Sequence, residues 1–284
     1  MEFLIFGHGY SAGFLTPQLI AKGWHVTGTT RGDTARVAAT GATSLLWPGQ
    51  EDDLRRAIAR ADGILVSAAP DLQTGDPVLA AFRNDLAQAT PRWLGYLSTT
   101  GVYGDRAGGW VDEDSVLDGS GPRGQARIRA EGDWRSLADK AGLPLHVFRL
   151  AGIYGPGRGP FEKIRNGTAR RIIKPGQVFS RIHAEDIAQV LLASINAPAP
   201  GTAYNLCDDD PAPPQDVIAY AAELLDLPVP PAVDFDDADM TPMARSFYRD
   251  SKRVSNQRIK RDLGVTLRYP DYRSGLQSIL KAGG

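Results

Sequence analysis

Short apolar runs alternate with helix-period segments through the first half of the chain. Phe3-Leu4-Ile5-Phe6 reads as a strand, and 24–31, 43–47, 63–70, 93–99 and 145–150 follow as five more. Between them, 51–61, 76–90 and 124–141 carry helical spacing; Leu54, Ile58 and Ala61 fall on one side of the first. Strands that are apolar throughout are buried on both faces, which requires helices above and below a parallel sheet. The predicted class is therefore α/β, a doubly wound parallel (Rossmann) sheet spanning 1–150. Past residue 150 the regularity weakens. Pro and Gly punctuate 155–160 and 197–201, around a helix near 161–166 and a basic strand-like stretch over 169–174. Helices are predicted over 184–196, with Ile187, Ala188, Val190 and Leu191 inward, and over 216–225, before an acidic, proline-rich connector at 226–239. We assign 151–284 to returning core elements plus a small C-terminal substrate lobe. Pro17 falls inside the first helix and should kink it or shorten its start.

The turn after the first strand reads Gly7-His8-Gly9-Tyr10-Ser11-Ala12, a Gly-x-Gly-x-x-Ala form of the dinucleotide fingerprint. Gly7 permits the tight turn, Gly9 lets backbone approach a pyrophosphate, and Ala12 lets the helix pack close to the sheet. The amides at the start of that helix, on Tyr10, Ser11 and Ala12, then face the phosphates. At the end of the second strand, where an NAD site places an acid for the ribose hydroxyl, the chain has Thr29-Thr30-Arg31. A guanidinium at Arg31 holds a 2′-phosphate bidentately, so NADP(H) is favoured over NAD(H). The alternative is a solvated Arg31 with Asp33 reaching the ribose. The fourth strand ends in small residues, Ala68 and Ala69, which leave room for a ligand in the crevice.

Bulk properties remove several function classes. The net charge of -1 supplies no pull toward nucleic acid or an anionic membrane. A single cysteine, Cys207 in an apolar run, permits no intramolecular disulfide and reads as packing. With no apolar stretch of transmembrane length and no signal-like start, a soluble cytoplasmic protein is expected. No His, Cys or Asp cluster has metal-ligand spacing.

Further along, Ser98-Thr99-Thr100-Gly101-Val102-Tyr103-Gly104 resembles the strand end of extended short-chain dehydrogenase/reductases, the superfamily of the NAD-dependent epimerases and dehydratases that act on nucleotide sugars. The segments Arg149 to Arg158, Ser180 to Ala188, Tyr204-Asn205-Leu206 and Ser251 to Gly264 extend the resemblance along nearly the whole chain. It implies a dinucleotide on the sheet, contacts near Ile153, and a lobe closing over substrate. It also implies a Tyr-x-x-x-Lys pair on the helix after the fifth strand, with Ser or Thr at that strand's end. Thr99 takes the Ser/Thr place. Counting back from Ala130-Glu131 puts Arg123 at the tyrosine, Ala126 at the intervening serine and Arg127 at the lysine, and no tyrosine occurs between Gly104 and Ala151. The chain resembles an atypical subgroup without the pair. Arg123 cannot give up a proton near neutrality, whereas Arg127 retains the charge that would steady the nicotinamide ribose.

Tyr103, four residues past Thr99, is the first substitute proton donor if its phenol faces the crevice; packing against the loop is the alternative. Tyr154 stands in the matching place after the sixth strand. His183 is expected to be structural, His8 a pyrophosphate neighbour or exposed, and His146 core. Asp112, Glu113 and Asp114 lie on a loop over 105–122 beside the crevice. Arg158, Arg170, Arg171 and Arg181 point to an anionic small-molecule substrate. The expected function is an NAD(P)-dependent oxidoreductase, or an epimerase/dehydratase-like enzyme, on a small polar or nucleotide-linked substrate. A catalytically silent NADP(H)-binding sensor or scaffold is the alternative. A homodimer through 76–90 and 124–141 is expected from the resemblance, with the arginine content of the second helix against it.

Overall fold

The computed structural model describes residues 1–283. The first half runs β1 (Glu2–Phe6), α1 (Tyr10–Ala21), β2 (His25–Thr30), α2 (Thr34–Ala38), β3 (Thr43–Leu46), α3 (Glu51–Arg60), β4 (Gly63–Val66), α4 (Pro77–Gln88) and β5 (Trp93–Thr99). Then come β6 (Trp110–Val111), α5 (Pro122–Ala141), β7 (Leu145–Leu150), β8 (Gly152–Tyr154), α6 (Phe161–Arg165), β9 (Arg171–Ile173), β10 (Arg181–His183), α7 (Ala184–Asn196) and β11 (Ala203–Leu206). The chain ends with α8 (Pro214–Leu224), β12 (Ala232–Asp234), α9 (Pro242–Phe247), β13 (Arg253–Val254), α10 (Gln257–Leu263) and α11 (Tyr272–Lys281).

Seven parallel strands form the central sheet in the order β11-β7-β5-β4-β1-β2-β3. The order reverses between β1 and β4, so a crevice opens there at the strands' carboxyl ends. Side chains of β1 alternate between two cores. Phe3 and Ile5 meet Leu15 and Leu19 of α1 and Ile187 and Leu191 of α7. Leu4 and Phe6 meet Leu54, Ile58, Phe82 and Trp134 from α3, α4 and α5. The Trp93 indole N–H donates to Ser194 Oγ at 3.0 Å, tying β5 to α7.

Helix α1 begins at Tyr10 and continues through Pro17 to Ala21, so the expected shortening at its start does not occur. Pro17 forgoes one backbone bond, while fully buried Leu15 and Leu19 hold the helix on the sheet. The connector at 226–239 contains β12, paired with β9, and the loop at 105–122 contains β6, paired with β13. A third core, with Tyr154, Phe161, Val217, Tyr272 and Leu276, organises the lobe beyond the sheet.

Candidate active site

The crevice is built from the ends of β1, β4 and β5. Gly7 has φ +79°, and a β-carbon there would lie 2.9 Å from the Ala68 nitrogen, so only glycine lets the two strand ends approach. Its N–H donates to Thr29 Oγ1 at 2.8 Å, fixing the turn on β2. Gly9 caps α1 without a side chain, which leaves the first-turn amides of Tyr10, Ser11 and Ala12 open to an anion. The Tyr10 phenol turns elsewhere, donating to the Pro156 carbonyl at 2.9 Å and lying under Arg158.

The His8 side chain is not exposed and turns down from the glycine turn toward the sheet. Its ring is 1% exposed, packs on Gly28, and is 2.8 Å from Thr16 Oγ1. A turn of alternating glycines sends the side chain between them down into the sheet, and burial lowers its pKa.

At the end of β2, Thr30 accepts the Gly32 N–H at 3.4 Å, while Arg31 is exposed with no side-chain partner. Asp33 is already engaged: it accepts the Arg36 N–H at 2.9 Å as the cap of α2 and faces Arg36 Nε at 3.7 Å. Arg36, which the sequence reading passed over, reaches back to donate to the His8 carbonyl at 2.7 Å. The signal for it was local. Asp33-Thr34-Ala35-Arg36 is a capped helix start, and one helical turn returns Arg36 to the glycine turn.

Around β5 the residues separate into two groups. Thr99 ends the strand opposite Leu150, and its Oγ1 accepts the Gly101 N–H at 3.1 Å, leaving its own proton to donate. Arg127 donates to the Leu97 carbonyl at 2.7 Å and to the Tyr96 hydroxyl at 3.0 Å, which anchors one edge of its guanidinium against the strand. Arg123 is exposed on the first turn of α5 and does not fill the crevice. Ala68 is half-buried and Ala69 exposed beside Gly7, and Ile153 sits in β8 opposite Ile182.

Tyr103 does not face the crevice. It is fully buried, donates to Asn205 Oδ1 at 2.7 Å and accepts from Arg149 Nη1 at 2.9 Å. Burial pushes the phenol up to about 12. The tight turn over Thr100–Tyr103 rotates this side chain under the loop instead of over the sheet. Arg149 continues to Glu131, with Nη2 to Oε2 at 2.9 Å, and Glu131 also accepts from Ser98. Glu113, from the acidic loop, is buried too; it accepts the Asn205 N–H at 2.8 Å and faces Arg258 at 3.6 Å. Burial raises its carboxyl pKa. Tyr103→Phe is therefore expected to lower stability by about 1–3 kcal/mol, by leaving Asn205 Oδ1 without its donor, with nicotinamide-cofactor affinity unchanged. Urea unfolding and cofactor titration check this; unchanged stability with lost turnover would return Tyr103 to the reacting centre.

Tyr154 is buried and donates to the Asp271 carbonyl at 3.3 Å. Of the four arginines, Arg181 serves the Phe179 and Ala212 carbonyls, Arg171 the Pro230 carbonyl and Arg170 the Gly167 carbonyl, whereas Arg158 covers Tyr10. Cys207 is buried with its thiol toward the Val254 carbonyl, and His146 lies in the core.

His183 is 1% exposed and caps α7, with Nδ1 accepting the Glu185 N–H at 3.3 Å. Burial lowers its pKa to about 4. The unfolded chain protonates near 6.5, so stability from neutral His183 is present above that pH. It is lost between 6.5 and 4, by up to about 3 kcal/mol. Urea midpoints at pH 7 and pH 5 should differ less in His183→Asn than in the parent; equal differences would remove the assignment.

The parallel sheet with its reversal at a glycine turn, closed by a C-terminal lobe, is the Rossmann-like fold of NAD-dependent epimerases and dehydratases. UDP-glucuronic acid 4-epimerase of Bacillus cereus, solved in complex with NAD, matches it with a TM-score of 0.83 at 15% identity, over 99% of this chain and 96% of that one. The chain belongs to the family of Protein YeeZ from Escherichia coli K12, to which it is 30% identical over 285 aligned positions, 94% of this chain and 96% of that protein. A solved structure from Silicibacter pomeroyi, described as a functionally unknown conserved protein, is 57% identical with a TM-score of 0.92, covering 99% of this chain and 98% of that one. No protein-family model matches the chain.

Proposed function

We propose that the protein is an NADP(H)-dependent oxidoreductase or epimerase/dehydratase-like enzyme acting on a small polar or nucleotide-linked substrate. It stands in an atypical branch that handles the proton without a Tyr-Lys pair. The observation that carries this reading is the uncapped start of α1 at Gly9, flanked by Arg31 and Arg36 where an NAD site places a ribose-binding acid. The cradle fits the cofactor: glycine allows the close approach at Ala68, and Asp33 is held by α2 instead of facing a ribose. The Bacillus cereus epimerase, with its bound NAD, supports a nicotinamide cofactor in general; the two arginines favour its phosphorylated form.

A bound nicotinamide would supply or accept hydride. The first-turn amides of α1 would hold the pyrophosphate, Arg31 and Arg36 the 2′-phosphate, and the outer edge of Arg127 the ribose. Thr99 offers its hydroxyl proton to a substrate oxygen. Arg123 stays charged, and Tyr103 is sealed beneath the loop, so neither releases a proton near neutrality. Water in the crevice serves instead.

Titration of the purified protein with NADPH and NADH, followed by cofactor fluorescence, is expected to give the tighter binding with NADPH. Addition of carbonyl compounds and nucleotide sugars should then find one that oxidises it. Equal or tighter NADH binding would overturn the cofactor assignment, and binding without turnover across a broad panel would favour a sensor.

A further inference from the structure

A second concavity lies in the C-terminal lobe, a cleft of about 500 Å³ lined by Lys174, Phe235, Arg245, Tyr248 and Arg249 among others, with no acidic residue in its wall. None of the three cations forms an ion pair among the described residues. Two of them are engaged in building the wall. Lys174 donates to the Tyr248 carbonyl and stands 5.1 Å from the Phe235 ring centre. Arg245 donates to the Ala238 carbonyl at 2.8 Å and stands 4.8 Å from the same ring. Phe235 and Tyr248 lie 5.4 Å apart at 35°. Arg249 alone keeps its guanidinium uncommitted.

The segment that forms one wall of the cleft is tied to the turn after β5. Lys252 donates to the Gly104 carbonyl at 2.7 Å, and Gln177 donates to the Asp250 carbonyl at 2.7 Å. The segment 248–252 therefore passes beside the turn that follows β5. An Arg249 nitrogen stands 3.3 Å from where a β-carbon on Gly121 would be, two residues before Arg123. Arg249 therefore stands beside the start of α5, at the rim of the cleft.

We propose that this cleft is the substrate's recognition site and that it takes a planar, conjugated ring bearing one carboxylate, with the ring on Phe235 and Tyr248 and the carboxylate on Arg249. Two aromatic rings tilted 35° to each other give an apolar wall, and the cations over Phe235 make the space electropositive. Lys174 and Arg245 are each tied to backbone carbonyls, whereas the uncommitted guanidinium of Arg249 matches one carboxylate bidentately. The inference deepens the oxidoreductase reading and rests on it for the word substrate.

The test is calorimetric titration of the full chain with trans-cinnamate, cinnamyl alcohol and UDP, each with and without saturating NADP⁺. Cinnamate is expected to bind about 10-fold or more tightly than the alcohol, and Arg249→Gln to weaken it by a similar factor. NADPH affinity of that variant should stay within about twofold of the parent, and Phe235→Leu should also weaken cinnamate. Tighter binding of UDP, an unchanged cinnamate affinity in Arg249→Gln, or no cinnamate binding by protein that binds NADPH would each overturn the proposal. Failure of the parent to bind NADPH would count against the oxidoreductase reading, while cinnamate titration without cofactor would still decide this site.

Discussion

Glu131→Ala is expected to destabilise the protein by about 3–5 kcal/mol, the largest effect of any single change considered for this fold. The Glu131 and Arg149 side chains are only 2% and 4% exposed, and the pair lies between α5 and β7. Removing the carboxylate leaves a guanidinium buried with only the Tyr103 hydroxyl and the Glu113 carbonyl as acceptors. It also strands the Ser98 hydroxyl, which donates to Glu131. The expected fall in Tm is roughly 8 °C or more. Replacing both partners by leucine should recover much of the loss, because no unpaired charge then remains. A single variant as stable as the parent in urea would show that water reaches Arg149 and that the network is open.

The second large effect concerns cofactor choice. Arg31→Ala and Arg36→Ala together are expected to weaken NADPH binding by about 100-fold while leaving NADH within a few-fold, since charge-assisted bonds contribute about 1.5–3 kcal/mol each. The two positions should differ. Arg31 is free, so its loss acts on the 2′-phosphate alone; Arg36 also supports the His8 carbonyl, so its loss should disturb the glycine turn and touch both cofactors slightly. The preference should shrink as salt rises. Equal losses for NADH and NADPH in the Arg31 variant would place that guanidinium on something other than the 2′-phosphate.

Family resemblance predicts a homodimer through α4 and α5, but their outer faces carry Arg83, Asn84, Gln88, Arg129, Asp133 and Lys140 and form no apolar patch. The dimer therefore stands as a proposal for light scattering. Among the described residues no helix is long and apolar enough to cross a membrane.

The core strands could be read directly from the chain, since a strand buried on both faces leaves an unbroken apolar run, as Phe3 to Phe6 and Leu145 to Leu150 do. The glycine turn was equally legible, because Gly7 and Gly9 answer a local backbone demand. The lobe was harder. α9 and α10 are short and bury only Ile259 between them, so no 3.6-residue period stands out from the Pro and Gly around them. The missing tyrosine was readable from the order of residues alone, since none occurs between Gly104 and Ala151; the place of the remaining polar groups was not. Whether Tyr103 faced the crevice depended on one tight turn after β5, a rotation that leaves no sequence pattern.

By itself the sequence determined the parallel core, the glycine turn after β1 and the absence of any tyrosine between Gly104 and Ala151, all of which follow from residue type at a known local spacing. Only the tertiary structure decided that Arg36 reaches back to the His8 carbonyl of the glycine turn, that Glu131 and Arg149 pair across 18 residues, and that Lys174 and Arg245 meet at Phe235. These contacts arise from packing between distant segments. Their electrostatics depend on burial, a property of the folded surface that no stretch of chain carries alone.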